Sequence, residues 1–139
     1  MGNRRHSLYV ESIDNGMYIL PPPGAQVKIL QWSLAITSGA GEVTLYNTDA
    51  GTLSNDTNYS PRLLDEQTPA SLIVSASGNQ TFFLTSATPF EQYYMSANKS
   101  HLQRFYTPRT APMIRSFNYF VIVTGGNLAT KHFSLIWEE

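Results

Sequence analysis

The chain has 139 residues and a net charge of −1; only 14% of its residues are charged, and none is cysteine. Such a length predicts one domain over 1–139 that buries roughly two-thirds of its unfolded surface without a metal or disulfide staple. Near-neutrality removes any general electrostatic drive toward nucleic acid or an anionic membrane, and the absence of thiols excludes disulfides, thiol catalysis and thiolate zinc sites.

The chain opens on a basic segment, Met1 to Ser7, with no apolar run of signal-peptide length behind it. It reads as an arm that is poorly ordered unless it docks on a neighbour. No apolar run approaches the ~20 residues a membrane-spanning helix needs. Leu8 to Ile13 alternates, Asp14-Asn15-Gly16 signals a turn, and Met17 to Leu20 resumes, which predicts an N-terminal hairpin. Pro21-Pro22-Pro23-Gly24 stops the strand and predicts a stiff crossover between sheets or a short linker.

Val27 to Thr37 is the clearest strand, with Leu30, Trp32, Leu34 and Ile36 on one face at a period of two. Ser38-Gly39-Ala40-Gly41 links it to Glu42–Asn47, and the glycines predict a second hairpin. The polar stretch Asn47 to Pro69 predicts a long irregular loop anchored by Leu63 and Leu64. Ser71–Ala76 and Thr81–Thr85 read as strands about the Ser77–Gln80 turn. Glu91–Met95 reads as a strand or the first turn of a helix, and Ser100–Arg115, with Pro108 and Pro112, reads as a loop. Phe117 to Val123 is apolar on both faces, as in a central strand or one covered by a neighbour. Thr124–Asn127 is a turn, and Lys131–Trp137 is a last strand with Phe133, Leu135 and Trp137 on one face. Eight to ten short strands with turns between them predict an all-β fold, an antiparallel β-sandwich, with the jelly roll as one arrangement of it.

Catalytic and metal signatures do not stand out. His6, His101 and His132 lack a second histidine at ligand spacing. Asp49, Asp56, Asp65 and Glu66 follow no calcium-loop spacing and suit turns for backbone reasons. No Gly-x-Ser-x-Gly elbow and no phosphate-binding glycine loop occurs. The chain is therefore expected to be non-enzymatic, with no cofactor and no metal. The Asn-x-Ser/Thr matches at Asn55, Asn58, Asn79 and Asn98 are chance matches in a chain rich in these residues.

Arg104, Phe105, Tyr106, Arg109 and Arg115 form a cluster of arginines and aromatics. Such a cluster stacks on and pairs with nucleic acid, or it supplies the anchors of a protein interface. The near-neutral charge favours the interface, to which Phe117–Val123, with Tyr119 and Phe120, is expected to contribute. Tyr9, Tyr18, Tyr46, Tyr59, Tyr93 and Tyr94 could line a sugar-binding platform, or pack as ordinary strand residues.

In the style of Val27–Thr37, Ser38–Gly41, Glu42–Asn47, Asn79–Leu84 and His132–Trp137, the chain resembles small β-sandwich accessory proteins of tailed-bacteriophage virions, such as capsid decoration and head or tail attachment proteins. The resemblance implies a structural protein located in the virion. It would form a homo-oligomer, with a trimer favoured, and bind a larger protein lattice such as a capsid. A carbohydrate-binding, lectin-like module is the alternative.

Overall fold

A computed structural model describes residues 5–13, 16–21, 24, 26–49, 57–59, 62–63, 73–77, 88–115 and 118–138. Among these residues the regular structure is all strand: β1 (Arg5–Ile13), β2 (Gly16–Leu20), β3 (Val27–Ala35), β4 (Gly41–Thr48), β5 (Thr57–Tyr59), β6 (Arg62–Leu63), β7 (Ile73–Ser77), β8 (Pro89–Met95), β9 (His101–Phe105), β10 (Met113–Ile114), β11 (Tyr119–Thr124) and β12 (Lys131–Glu138). They form two antiparallel sheets packed face to face, an all-β sandwich. Sheet I runs β10-β3-β12-β1-β6, and β9 shares the β10 edge of β3; sheet II runs β5-β7-β2-β11-β4-β8.

Alternation builds the core between the sheets. Trp32 and Leu34 of β3, with Phe133, Leu135 and Trp137 of β12, come from sheet I. Met17 and Ile19 of β2, Val43 and Leu45 of β4, and Phe120 and Ile122 of β11 meet them from sheet II. β11 is the central strand its composition predicts, flanked by β2 and β4. Val121, on its other face by alternation, is buried as well. Burying a large apolar side chain here is worth about 1.5–3 kcal/mol, so the core carries the fold.

Several expectations are corrected. Neither predicted hairpin forms among the described residues: β1 lies in sheet I and β2 in sheet II, and likewise β3 and β4. Each link carries the chain from one sheet to the other. The glycines of the β3–β4 link have a different purpose from the one a hairpin would give them. Segment 36–41 lies against 124–130, the link between β11 and β12. Ala40 N donates to Asn127 Oδ1 (2.8 Å), Asn127 N to Ala40 O (3.1 Å) and Ala129 N to Ser38 O (3.0 Å). Gly39 and Gly126 both have positive φ, 94° and 71°, and a Cβ on either would overlap the backbone of the facing link. The Pro21–Gly24 stretch does join the sheets, between β2 and β3.

The alternation of β3 is also not continuous. Val27 and Ile29 face the core, then Trp32 and Leu34, while Leu30 and Gln31 are both half-exposed. The register with β12 shifts here, from Gln31↔Ile136 to Ile29↔Trp137. This β-bulge moves Leu30 off the face its spacing predicts. The basic arm is shorter than predicted, because Arg5, His6 and Ser7 belong to β1 and pair with β12. His6 is buried and stacks on Trp137 at 5.6 Å. Segment 100–115 is a loop only in part, since β9 and β10 hold both its ends to β3. Glu91–Met95 falls in β8, a strand. Within Asn47–Pro69, β5 and β6 pair with β7 and β1. Leu64 and the predicted strand Thr81–Thr85 lie outside the described residues.

Candidate functional site

β8 is an edge of sheet II and β9 an edge of sheet I, joined by the 96–100 turn, in which Ser96 and Lys99 exchange backbone hydrogen bonds (3.2 and 3.0 Å). Side chains close the gap between these edges. Glu91 alternates with the outward residues of β8, and its carboxylate accepts from Arg104 Nε (2.7 Å), from the Tyr93 hydroxyl (3.0 Å) and from the Tyr106 hydroxyl. Trp32 Nε1 donates to the Tyr106 hydroxyl (3.0 Å), which ties the group to the core. The Arg104 guanidinium lies 4.5 Å from the centre of the Tyr106 ring and donates to Phe105 O (2.9 Å). Tyr93 packs edge-on against Trp32 at 5.7 Å.

Burial and then the hydrogen bond to Glu91 hold the Tyr106 phenol well above its ordinary pKa, and the same two causes raise Tyr93. The hydrogen bond to Glu91 is the first cause of the raised Arg104 guanidinium. The carboxylate oxygens are thus shared by a guanidinium and two phenols. The arrangement is a latch between two sheet edges. Among the described residues no group of three or more His, Asp or Glu is placed to hold a metal ion.

The residues singled out in the sequence separate into three groups. Arg104 and Tyr106 come together in the latch. Phe105, 57% exposed, turns outward from sheet I beside them. Arg109 and Arg115 are exposed, Arg109 in the 107–110 turn, where Thr110 N donates to Thr107 O (3.0 Å). Tyr119 and Phe120 sit apart on β11. Tyr119 meets Tyr18 edge-on at 5.7 Å, and Phe120, 1% exposed, belongs to the core. Of the candidate platform tyrosines, Tyr9 (65%) and Tyr94 (59%) are exposed, Tyr18 is buried and Tyr93 packs against the core. Tyr46 is half-buried, and the Tyr59 side chain lies outside the described residues.

Sequence reasoning missed Glu91. Its signal was available: Glu91, Tyr93 and Met95 share one face of a strand whose other end is buried, so a carboxylate there requires a cationic or hydroxyl partner. It also missed the shallow cleft on the outer face of sheet I. The cleft is lined by Arg5, Leu30, Gln31, Phe105, Tyr106, Pro108 and Ile136 and has a volume of about 300 Å³.

No protein-family model, no curated protein and no solved structure matches this chain.

Proposed function

We propose that this chain is a non-enzymatic structural protein of a virion, a capsid decoration or head/tail attachment protein that self-associates and docks on a larger protein lattice such as a capsid. The observation that carries the proposal is the exposure of large apolar side chains on edge strands. Five large hydrophobic side chains are exposed among the described residues, and Phe90, Tyr94 and Met113 are three of them, all on the edge strands β8 and β10. Arg109, between β9 and β10, and Arg115, directly after β10, are also exposed, and arginine with aromatic residues is the composition of interface anchors. Among the described residues β8 pairs only with β4, and β9 only with β3, so both edges offer backbone groups for pairing.

The strand order adds support. Within the two sheets run β1-β12-β3-β9 and β2-β11-β4-β8. Two four-stranded sheets wound in this way support reading the sandwich as a jelly roll, an architecture that hosts viral capsid domains. Fold analogy weighs less than the surface, because one fold hosts many functions.

The test is native mass by light scattering after size exclusion, over a range of concentrations. A closed oligomer, with a trimer expected, supports the proposal, and Tyr94→Lys with Met113→Lys should shift it to monomer while near-ultraviolet circular dichroism is unchanged. A protein that stays monomeric at every concentration and does not bind assembled capsids overturns it.

A further inference from the structure

We infer that the outer face of sheet I binds a neutral oligosaccharide, held between the exposed rings of Phe105 and Tyr9. This goes beyond assembly and does not depend on the oligomeric state. The β-bulge in β3 places Leu30 and Gln31 together on this face, and the chain leaves the sheet after β9, with Tyr106 N donating to Leu30 O (3.0 Å). The departure leaves the cleft of about 300 Å³, floored by Leu30 and Ile136, walled by Phe105 and Pro108, with Arg5 at its rim. That volume is at the lower end for small-ligand sites and suits one sugar ring or a group of similar size.

The strand register extends the site beyond the cleft. Tyr9 on β1 lies opposite Ser134 on β12, Ser134 opposite Ser33 on β3, and Ser33 opposite Gln103 on β9. One row further along, Ile136 lies opposite Gln31 and Gln31 opposite Phe105. Three strand spacings across and two residues along separate the Cα positions of Tyr9 and Phe105 by about 16 Å, longer than one sugar ring and suited to a short chain of them. Between the rings lie hydroxyls and amides, with the aliphatic Ile136 among them. Ser33 and Ser134 hydrogen-bond to each other, and neither row contains a charged side chain on these strands. Arg5 at the rim pairs with Glu138 at 3.6 Å. The Tyr9 hydroxyl hydrogen-bonds His132 Nδ1 (3.2 Å), which fixes its ring.

The chemistry follows from these groups. The C–H faces of pyranose rings stack on Phe105 and Tyr9, and their hydroxyls exchange hydrogen bonds with Gln31, Gln103, the serines and Arg5. Nucleic acid or an acidic peptide would require a row of cations across the floor, where there are amides, hydroxyls and aliphatic groups.

Saturation-transfer NMR on the intact protein tests this, using glucose-, galactose- and N-acetylglucosamine-based trisaccharides as probes. At least one should receive saturation at millimolar concentration. Phe105→Ala should weaken its binding about tenfold and Tyr9→Ala by less, whereas Phe105→Trp should keep it. Lys99→Ala, in the turn between β8 and β9, should leave binding unchanged. Amide correlation spectra establish that each variant is folded. The inference is overturned if no probe receives saturation from the folded protein, or if transfer survives Phe105→Ala and Tyr9→Ala undiminished. It is equally overturned if these two variants change the native mass while no sugar binds, because the face then belongs to a protein contact. Native mass is read separately, so this result and that of the assembly proposal are distinguishable.

Discussion

Where the β3–β4 link meets the β11–β12 link, two backbones lie against each other, joined by amide-to-carbonyl hydrogen bonds and by Asn127 reaching Ala40. Along the β8–β9 side, beyond the 96–100 turn, the sheets are joined by side chains: a carboxylate, a guanidinium, two phenols and an indole. The first contact tolerates almost no added atom and owes little to charge. The second tolerates changes of shape but needs one carboxylate with its partners neutral or cationic. The two joints should therefore fail for different reasons: one under added volume, the other under removed or altered charge.

The largest effect expected is at the backbone joint. Gly39→Val adds β-branched atoms at a positive φ and into the Asn127 backbone, and should lower stability by about 3 kcal/mol or more in urea unfolding. A midpoint close to that of the unaltered protein would show that the links separate readily. At the latch, Glu91→Ala leaves Arg104, Tyr93 and Tyr106 without their shared acceptor. Because Arg104 is partly solvated, the expected loss is smaller, about 2 kcal/mol. The same variant at high salt should show a reduced difference, whereas Gly39→Val should not.

The smallest effect sharpens the contrast through pH. Tyr106 and Tyr93 are held above their ordinary value of 10.0 in the folded chain, first by burial and then by Glu91. The unfolded chain ionises them at the ordinary value, so the stability they contribute is complete below pH 10 and is lost as pH rises beyond it. Urea midpoints should be flat on approach to that pH and then fall, with up to about 1.4 kcal/mol per pH unit attributable to one phenol. Tyr106→Phe should flatten the alkaline slope. An unchanged slope would place the loss in other groups.

Much of the fold was legible because burial imposes a period of two: β12, most of β3 and the central position of β11 follow from it. Turn chemistry was legible only in part. A glycine link between two alternating strands marks a reversal of direction, but it does not say whether the next strand lies beside the first or across the core. The glycines at 39 and 126 are required by a contact between segments far apart in sequence, which local pattern does not contain. The bulge at Leu30 and Gln31 was hidden for the same reason, since the register of β12 reveals it. At the latch, Arg104 and Tyr106 were legible as residues suited to stacking and pairing. Glu91 was legible as a carboxylate that needs a partner, but its pairing with Arg104 and Tyr106 was not, because Glu91 belongs to the other sheet. Phe120 shows the converse: an apolar residue that suits an interface equally suits a core, and only its position on a central strand decides.

The place of β12 in sheet I has a temporal consequence. It lies between β3 and β1, so this sheet lacks its middle until the most C-terminal of the described strands has been made. On a ribosome, β1 and β3 emerge long before the strand that joins them, and they wait with their apolar faces uncovered. Sheet I can form only after synthesis has passed β12, and it forms through contacts of long sequence separation, which fold slowly. Crowding of nascent chains during that wait is the condition under which this fold is most exposed to misassembly.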